Sequence, residues 1–191
     1  YLTSTSSVPS VVKAGAGNTS SSTSAPITSG AVYSIIAKHS GKGLDVQDAS
    51  TANGGNIQQY NYVGAANQQF RITSIDGTYY SIVNINSAKG LDVAELSIEN
   101  SANIQQWNYS GGANQQFKFV STGDGYYQIV NKNSGKCLDV YAKSTANGAN
   151  VQQYNCGSGT NQRWQLNMVA AKSASLDMTT VAAEKNTGIT V

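Results

Sequence analysis

The sequence predicts an all-β protein built from three equal units, on the basis of two observations. One pattern of residues occurs three times at a spacing of 47 residues, without an insertion or deletion. Each copy contains four short segments with alternating apolar residues, separated by turn-forming residues. Because one such unit cannot bury its own apolar face, we expect twelve short strands to form one closed or nearly closed body.

The repeats span residues 31–75, 76–121 and 122–167. Each begins with a β-rich segment around a tyrosine and continues with a short Leu-Asp-Val strand. A strand ending in Gln-Gln-Tyr or Gln-Gln-Trp comes next, and a final strand follows an Asn-Gln pair. The recurring apolar positions predict a shared core, which would contain Leu44, Leu91, Leu138, Phe70, Phe117 and Trp164.

The regions outside the repeats have a different composition. Residues 1–30 are rich in Ser and Thr and have no hydrophobic period, which is typical of a linker that joins an appended module to a catalytic domain. Residues 168–191 leave the repeat pattern and are interpreted as a C-terminal linker or the start of a following segment.

Composition and charge exclude two classes of partner. The net charge is only +2 and no basic cluster exists, so the sequence predicts no binding to nucleic acid. No run of 18 apolar residues occurs, so no membrane insertion is predicted. With 39% hydrophobic and 12% charged residues, the chain is expected to depend on turns and side-chain hydrogen bonds around a small core.

The three motifs together resemble the ricin-type β-trefoil lectins and the related family 13 carbohydrate-binding modules. The Gln-Xaa-Trp signature of that family is present as Gln162-Arg163-Trp164, and its Trp is replaced by Phe70 and Phe117 in the other repeats. The resemblance covers about residues 31–167. It implies a β-trefoil with pseudo-threefold symmetry and one shallow sugar pocket in each repeat.

The resemblance also implies the residues of each pocket. The Asp of Leu-Asp-Val would accept hydrogen bonds from sugar hydroxyls, the aromatic residue would stack on the sugar ring, and the Asn would bond the sugar while the following Gln orients the Asp. Carried over by motif, the three sets are Asp45, Gln58, Tyr60, Asn67 and Gln68; Asp92, Gln105, Trp107, Asn114 and Gln115; and Asp139, Gln152, Tyr154, Asn161 and Gln162.

The chemistry of these residue types suits a sugar. An ionised Asp accepts two hydroxyl protons at once through charge-assisted bonds, Asn can offer a donor and an acceptor, and an aromatic ring gives a flat apolar platform. Structural alternatives remain open: the Asp could cap a turn, and the aromatic residue could pack in the core. For the Gln of the Asn-Gln pair, satisfying backbone groups is the favoured interpretation.

The two cysteines, Cys137 and Cys156, lie in the third repeat, 19 positions apart. Ricin-type domains carry a disulfide at this spacing, so the resemblance implies a Cys137–Cys156 bond and a secreted protein. The equivalent pairs in the other repeats are Gly43 with Tyr62 and Gly90 with Tyr109, where a tyrosine could fill the volume of the bridge. Two free thiols are the alternative.

No metal site and no cofactor are predicted, because the pair of cysteines lacks metal-ligand spacing and partners.

The resulting hypothesis is a monomeric, non-catalytic module that binds xylan or a galactose-containing polysaccharide and is tethered to a secreted polysaccharide-degrading enzyme. The alternative is a free lectin or the cell-binding subunit of a toxin, and a scaffold for protein contacts is a third possibility. If only one pocket works, the large ring of Trp107 favours the second repeat.

Catalysis by the repeat region is not expected. Glycoside hydrolysis requires two carboxylates that flank one bond. Asp48 and Glu95 place a second acid near two of the pockets, but the third repeat has Ala142 at this position. The lone His39 has no counterpart in the other repeats and is interpreted as a surface loop residue.

Overall fold

The computed structural model describes residues 26–169, so most of the predicted linker 1–30 and of the segment 168–191 lies outside the described residues. Twelve strands and six short 3-10 turns occur in this part of the chain. The strands are β1 Val32–Ala37, β2 Gly43–Val46, β3 Gly55–Tyr60, β4 Phe70–Ser74, β5 Tyr80–Asn84, β6 Gly90–Val93, β7 Ile104–Trp107, β8 Phe117–Ser121, β9 Tyr127–Asn131, β10 Cys137–Val140, β11 Ala149–Tyr154 and β12 Trp164–Met168. Between residues 26 and 169 no helix is long and apolar enough to cross a membrane.

Six of the strands form a closed antiparallel barrel. Each of them pairs with two others, in the cyclic order β1, β4, β5, β8, β9 and β12. The other six form the hairpins β2–β3, β6–β7 and β10–β11, which meet through β3–β7 and β3–β11 pairing and an Asn103–Gln152 bridge. This arrangement confirms the predicted β-trefoil.

The core is one apolar cluster to which all three repeats contribute. Phe70, Phe117 and Trp164 are each at most 1% exposed, and Trp164 also donates from Nε1 to the Leu138 carbonyl oxygen at 3.2 Å. Leu44, Leu91 and Leu138 are equally buried. The predicted core positions are therefore confirmed, because these six side chains all lie in the common interior.

The folded body extends slightly beyond the predicted limits of the repeat region. Ile27 packs against the core, and the Gly30 backbone N–H donates to the Ile72 carbonyl oxygen at 2.8 Å. At the other end Met168 still belongs to β12 and pairs with Tyr33. Both ends of the body thus contact the barrel near the β1–β12 pair.

Two kinds of 3-10 turn occur once in every repeat. The turns that follow the Leu-Asp-Val strands are named kink turns here and span Gln47–Ala49, Ala94–Leu96 and Tyr141–Lys143. The turns that contain the Asn-Gln pair are named amide turns and span Ala66–Gln68, Ala113–Gln115 and Thr160–Gln162. The last two residues of each kink turn adopt positive φ although none is glycine.

The predicted disulfide is confirmed: Cys137 and Cys156 are bonded, with their Cα atoms 5.1 Å apart. The equivalent pairs are also adjacent. A Cβ placed on Gly43 would lie 3.2 Å from Cδ2 of Tyr62, and one placed on Gly90 would lie 3.0 Å from Cδ2 of Tyr109. A tyrosine over a glycine thus occupies, in repeats 1 and 2, the place that the disulfide takes in repeat 3.

A charged cluster links the turn after β1 to the β8–β9 turn and to the residue before β12. Asp124 accepts hydrogen bonds from Lys38 Nζ and Thr122 Oγ1, and it contacts Arg163 Nη1 at 3.1 Å. Lys38 Nζ also lies 4.7 Å from the centre of the Tyr126 ring. The hydrogen bond from Lys38, and then that from Thr122, hold the pKa of the Asp124 carboxyl well below its ordinary value of 3.8.

Removal of the disulfide by Cys137→Ala with Cys156→Ala should lower the free energy of unfolding by about 3 kcal/mol, because the unfolded chain regains loop entropy. Urea denaturation measures the change. The matched variant Cys137→Gly with Cys156→Tyr recreates the pair of repeats 1 and 2, so it should lose less by refilling the volume. An unchanged free energy in the double-alanine variant would contradict this assignment.

The Asp124 cluster should stabilise the protein only while its carboxylate is ionised. Because the folded-state pKa is lowered, this contribution is complete above 3.8 and is lost as the pH falls through the folded-state pKa. Asp124→Asn should therefore lower the urea midpoint at neutral pH, and the difference from the wild type should shrink toward about pH 2. A difference of the same size at both pH values would disagree with this account.

Candidate functional site

Each predicted pocket is built on one of the three hairpins β2–β3, β6–β7 and β10–β11. Asp45 on β2 lies directly opposite Gln58 on β3, so two residues that are 13 positions apart in sequence become cross-strand neighbours. The same register pairs Asp92 with Gln105 and Asp139 with Gln152. Antiparallel pairing therefore places the acid and the first amide side by side in all three repeats.

Pocket 1 centres on the Asp45 carboxylate, which is 4% exposed. Gln58 Nε2 donates to its Oδ1 at 2.9 Å, and Asn67 Nδ2 donates to its Oδ2 at 3.0 Å. The same Asn67 Nδ2 also donates to the Val46 carbonyl oxygen at 3.0 Å. The buried carboxylate is thus held in place by amide donors from a strand and from an amide turn.

Pockets 2 and 3 repeat this geometry. Gln105 Nε2 and Asn114 Nδ2 donate to the two oxygens of Asp92 at 3.0 and 2.8 Å. In pocket 3 the corresponding distances from Gln152 Nε2 and Asn161 Nδ2 to Asp139 are 3.0 and 2.7 Å. The three sites are therefore equivalent in their polar groups, as their matching sequences predict.

The Asn side chains have less to offer a ligand than expected. Asn67, Asn114 and Asn161 each use Nδ2 for the carboxylate and for a backbone carbonyl, which takes both N–H donors. Their remaining polar atom is Oδ1, an acceptor. The expected donation from Asn to a sugar therefore finds no free N–H in this structure, and acceptance by Oδ1 stays a prediction.

The aromatic residues lie at the outer ends of the hairpin strands. Tyr60, Trp107 and Tyr154 are 44%, 44% and 41% exposed. Packing in the core, which the sequence left open as an alternative, is therefore excluded for these three rings. Each exposed ring lies on the strand that also carries the pocket Gln, two residues earlier, so the rings can serve as apolar platforms beside the polar groups.

The Gln residues of the Asn-Gln pairs mainly support the backbone. Gln68 donates to the Asn61 carbonyl oxygen at 2.8 Å and accepts from the Val63 N–H at 2.8 Å. Gln162 donates both to the Asn155 carbonyl oxygen and to Asp139 Oδ2, at 3.0 and 2.9 Å. These contacts agree with the favoured interpretation that backbone groups are satisfied first. A direct contact of Gln68, Gln115 or Gln162 with sugar stays a prediction.

The pKa of Asp45 is raised above its ordinary value of 3.8, mainly because burial disfavours the charged form. The neighbouring side-chain amides oppose this effect, and the negative charge of Asp48 adds to it. The ionised Asp45 is therefore an acceptor whose charge is weakly solvated, which favours ligands that donate hydrogen bonds. Sugar hydroxyls have this property.

One set of supporting residues was missed by the sequence reasoning. Gln59, Gln106 and Gln153 follow the pocket glutamines and are at most 1% exposed. Gln106 Nε2 donates to the carbonyl oxygens of Ser50 and Ala52, in the loop of the preceding repeat, at 2.8 and 2.9 Å. The only sequence signal is that this second Gln is present in all three repeats.

The other two glutamines make the equivalent contacts around the threefold axis. Gln59 binds the loop of repeat 3 through Ser144 and Ala146, and Gln153 binds the loop of repeat 2 through Ser97 and Glu99. Each pocket is thereby bordered by a loop of the neighbouring repeat. A Cβ placed on Gly54 of repeat 1, for example, would lie 3.8 Å from Cζ3 of Trp107.

His39 takes part in the same contact between repeats 1 and 3. Its Nε2 lies 2.8 Å from the Ser144 carbonyl oxygen, so this nitrogen carries the hydrogen. Its Nδ1 is buried and has no hydrogen-bond partner among residues 26–169. The residue is thus partly buried against a neighbouring loop, and no acid of the pockets contacts it in the described region.

The comparison with protein families places the chain clearly. A family described as ricin-type beta-trefoil lectin domain-like matches residues 22–107 and 113–190. No curated protein gives a significant match. The matched ranges include all fifteen predicted pocket residues, and the unmatched residues 108–112 contain none of them.

Solved structures agree with this assignment. The designed threefold symmetric protein ThreeFoil is 50% identical, with a TM-score of 0.70 over 71% of this chain and 96% of that one. An exo-beta-1,3-galactanase from Clostridium thermocellum is 40% identical, with a TM-score of 0.71 over 73% of this chain and 30% of that one. The Rhizoctonia solani agglutinin is 25% identical, with a TM-score of 0.67 over 76% of this chain and 100% of that one.

The raised pKa of Asp45 is a testable property of pocket 1. In an NMR titration of the side-chain carboxyl carbon, we expect a midpoint above 3.8. Asp48→Asn removes a negative charge that favours protonation of Asp45, so it should lower this midpoint toward the ordinary value. A midpoint at or below 3.8 in the wild type would refute the role given to burial.

Proposed function

This chain belongs to the ricin-type beta-trefoil lectin domain-like family, and we propose that it binds carbohydrate through three pockets and catalyses no reaction of its own. The observation that carries the proposal is the recurrence of a buried, amide-held carboxylate beside an exposed aromatic ring. The carboxylate, the Oδ1 of the Asn and the Oε1 of the Gln opposite the Asp are acceptors for sugar hydroxyls. The aromatic ring offers a platform to the C–H face of a sugar.

The proposed ligand is a xylan or a galactose-containing polysaccharide. Support for the galactose-containing class comes from the 40% identity to part of an exo-beta-1,3-galactanase. A single shallow pocket of this kind should bind one sugar with about 4–5 kcal/mol, near the millimolar range. Three pockets on one rigid body can engage a polymer together, which raises the avidity well above the affinity of each pocket.

The proposed context is a secreted polysaccharide-degrading enzyme, to which this body is tethered as a monomeric module. Two observations support it: the matched region makes up only 30% of the galactanase chain, and the Ser/Thr-rich segment 1–30 has the composition of a linker. The Cys137–Cys156 disulfide supports an oxidising, extracellular location.

A free lectin that recognises cell-surface galactosides, or the cell-binding subunit of a toxin, is the second candidate. It is favoured by the match to an agglutinin whose chain aligns over 100% of its length. The two candidates predict different behaviour: a free lectin agglutinates cells, whereas a module for polysaccharide is retained by plant or microbial polysaccharides without agglutination.

The site assignment is tested by Tyr60→Ala, Trp107→Ala and Tyr154→Ala in one protein. These side chains are 41–44% exposed, so their removal should leave the fold intact. We expect the triple variant to lose retention in affinity gels that contain galactan, arabinogalactan or xylan, because each pocket loses its platform. Among the single variants, Trp107→Ala should show the largest loss, since indole is the largest ring.

The control for this experiment is Val120→Ala on the barrel strand β8, which changes a side chain of similar exposure, 42%, outside the pockets. It should migrate like the wild type.

Replacement of Asp45, Asp92 and Asp139 by Ala should also abolish retention. If the aromatic triple variant is folded and migrates like the wild type in every gel, the pockets are wrongly assigned, and release of reducing sugars by the purified protein would contradict the non-catalytic role.

A further inference from the structure

The kink turns form a second set of residues beside the pockets, and they carry backbone strain. Asp48 and Ala49 have φ of 55° and 49°, and Ala142 and Lys143 have φ of 53° each. Residues other than glycine rarely adopt this left-handed conformation, and such strain tends to cluster at ligand sites. In repeats 1 and 3 the kink turn lies directly against the amide turn that holds the pocket Asn.

The chemistry of the kink turn differs between the repeats although its backbone does not. The two left-handed residues are Asp48-Ala49 in repeat 1 and Glu95-Leu96 in repeat 2, but Ala142-Lys143 in repeat 3. Repeats 1 and 2 therefore carry one negative charge at this place, whereas repeat 3 carries one positive charge. All six side chains are exposed.

The kink-turn charge acts on the pocket. Besides burial and the neighbouring amides, the Asp48 charge contributes to the raised pKa of Asp45. In repeat 1 the charge of the kink turn therefore interacts with the buried carboxylate of the pocket.

Lys143 lies beside the polar groups of pocket 3. A Cβ placed on Gly159, the residue before the amide turn, would lie 3.8 Å from Lys143 Cε and 2.5 Å from Asn161 Oδ1. The lysine stem and the Asn acceptor thus approach the same point. Within residues 26–169 no carboxylate forms an ion pair with Lys143, since the two ion pairs there use Lys38 and Arg163.

We propose that the pocket of repeat 3 binds an acidic sugar, a uronic acid whose carboxylate is placed against Lys143, whereas the pockets of repeats 1 and 2 bind neutral sugars. This inference rests on the proposed sugar-binding function and assigns a ligand class to one of its sites. Asp48 and Glu95 repel a sugar carboxylate in the first two pockets, and Ala142 leaves space without charge in the third. The module thereby discriminates between neutral and acid-bearing parts of a polysaccharide.

The test uses a protein in which only pocket 3 is active, made by Tyr60→Ala with Trp107→Ala. Binding is followed by amide NMR shifts with two matched pairs of sugars: galactose with galacturonic acid, and xylose with glucuronic acid. We expect the acid of the preferred pair to bind about two- to fivefold more tightly than its neutral partner, with the preference lost at high salt. The methyl ester of the acid should bind like the neutral sugar.

Two further variants separate the charge from the rest of the pocket. Lys143→Ala should bind the acid about as weakly as the neutral sugar, with neutral binding unchanged. Asp48→Ala with Ala49→Lys, in a protein that keeps only pocket 1 through Trp107→Ala and Tyr154→Ala, should gain the preference for the acid.

The outcomes distinguish this inference from the function on which it rests. Binding of neutral sugars without a preference for the acid in pocket 3, or a preference that persists in Lys143→Ala, overturns this inference alone. Failure of pocket 3 to bind either sugar while pockets 1 and 2 bind neutral sugars also overturns it alone. Absence of binding in all three pockets overturns the proposed function together with it.

Discussion

A single repeat of this chain cannot bury its own apolar strand positions, and the whole structure depends on that constraint. Phe70, Phe117 and Trp164 become buried only when the six barrel strands close, since all three belong to one cluster with residues of every repeat. Closure also brings the loop of each repeat under a neighbouring hairpin, where Gln59, Gln106 and Gln153 bind its carbonyl groups. Core packing and loop positioning are therefore achieved together.

The proposed pockets lie on this rigid frame. Asp45 is almost completely buried and would be costly to hold there without partners, but Gln58 and Asn67 supply amide donors from two different elements. The result is a set of acceptors whose geometry is established before a ligand arrives. Such preorganisation reduces the cost of ordering side chains on binding, which matters most where each site alone makes few contacts.

Threefold repetition also lets the copies differ where the fold tolerates a difference. The order of the strands and the pocket amides are the same in all repeats, because the strands supply the core and the amides bind the buried carboxylates. The exposed kink turns differ in charge, from Asp48 and Glu95 to Lys143, on an unchanged backbone. Likewise the Cys137–Cys156 bond of repeat 3 takes the place of a Gly-Tyr contact in the others. Structural equivalence therefore does not require chemical equivalence of the three sites.

The amino-acid sequence by itself determined the repeat, the positions of the strands, the core and the grouping of the proposed pocket residues, because these follow from spacing within one unit. Asp45 and Gln58, for instance, meet through local hairpin pairing. Only the tertiary structure decided that Gln106 holds a loop of another repeat and that Asn67 has no free N–H donor. The physical reason is that such contacts join segments brought together by closure of the barrel, and that one buried carboxylate determines which donors remain for a ligand.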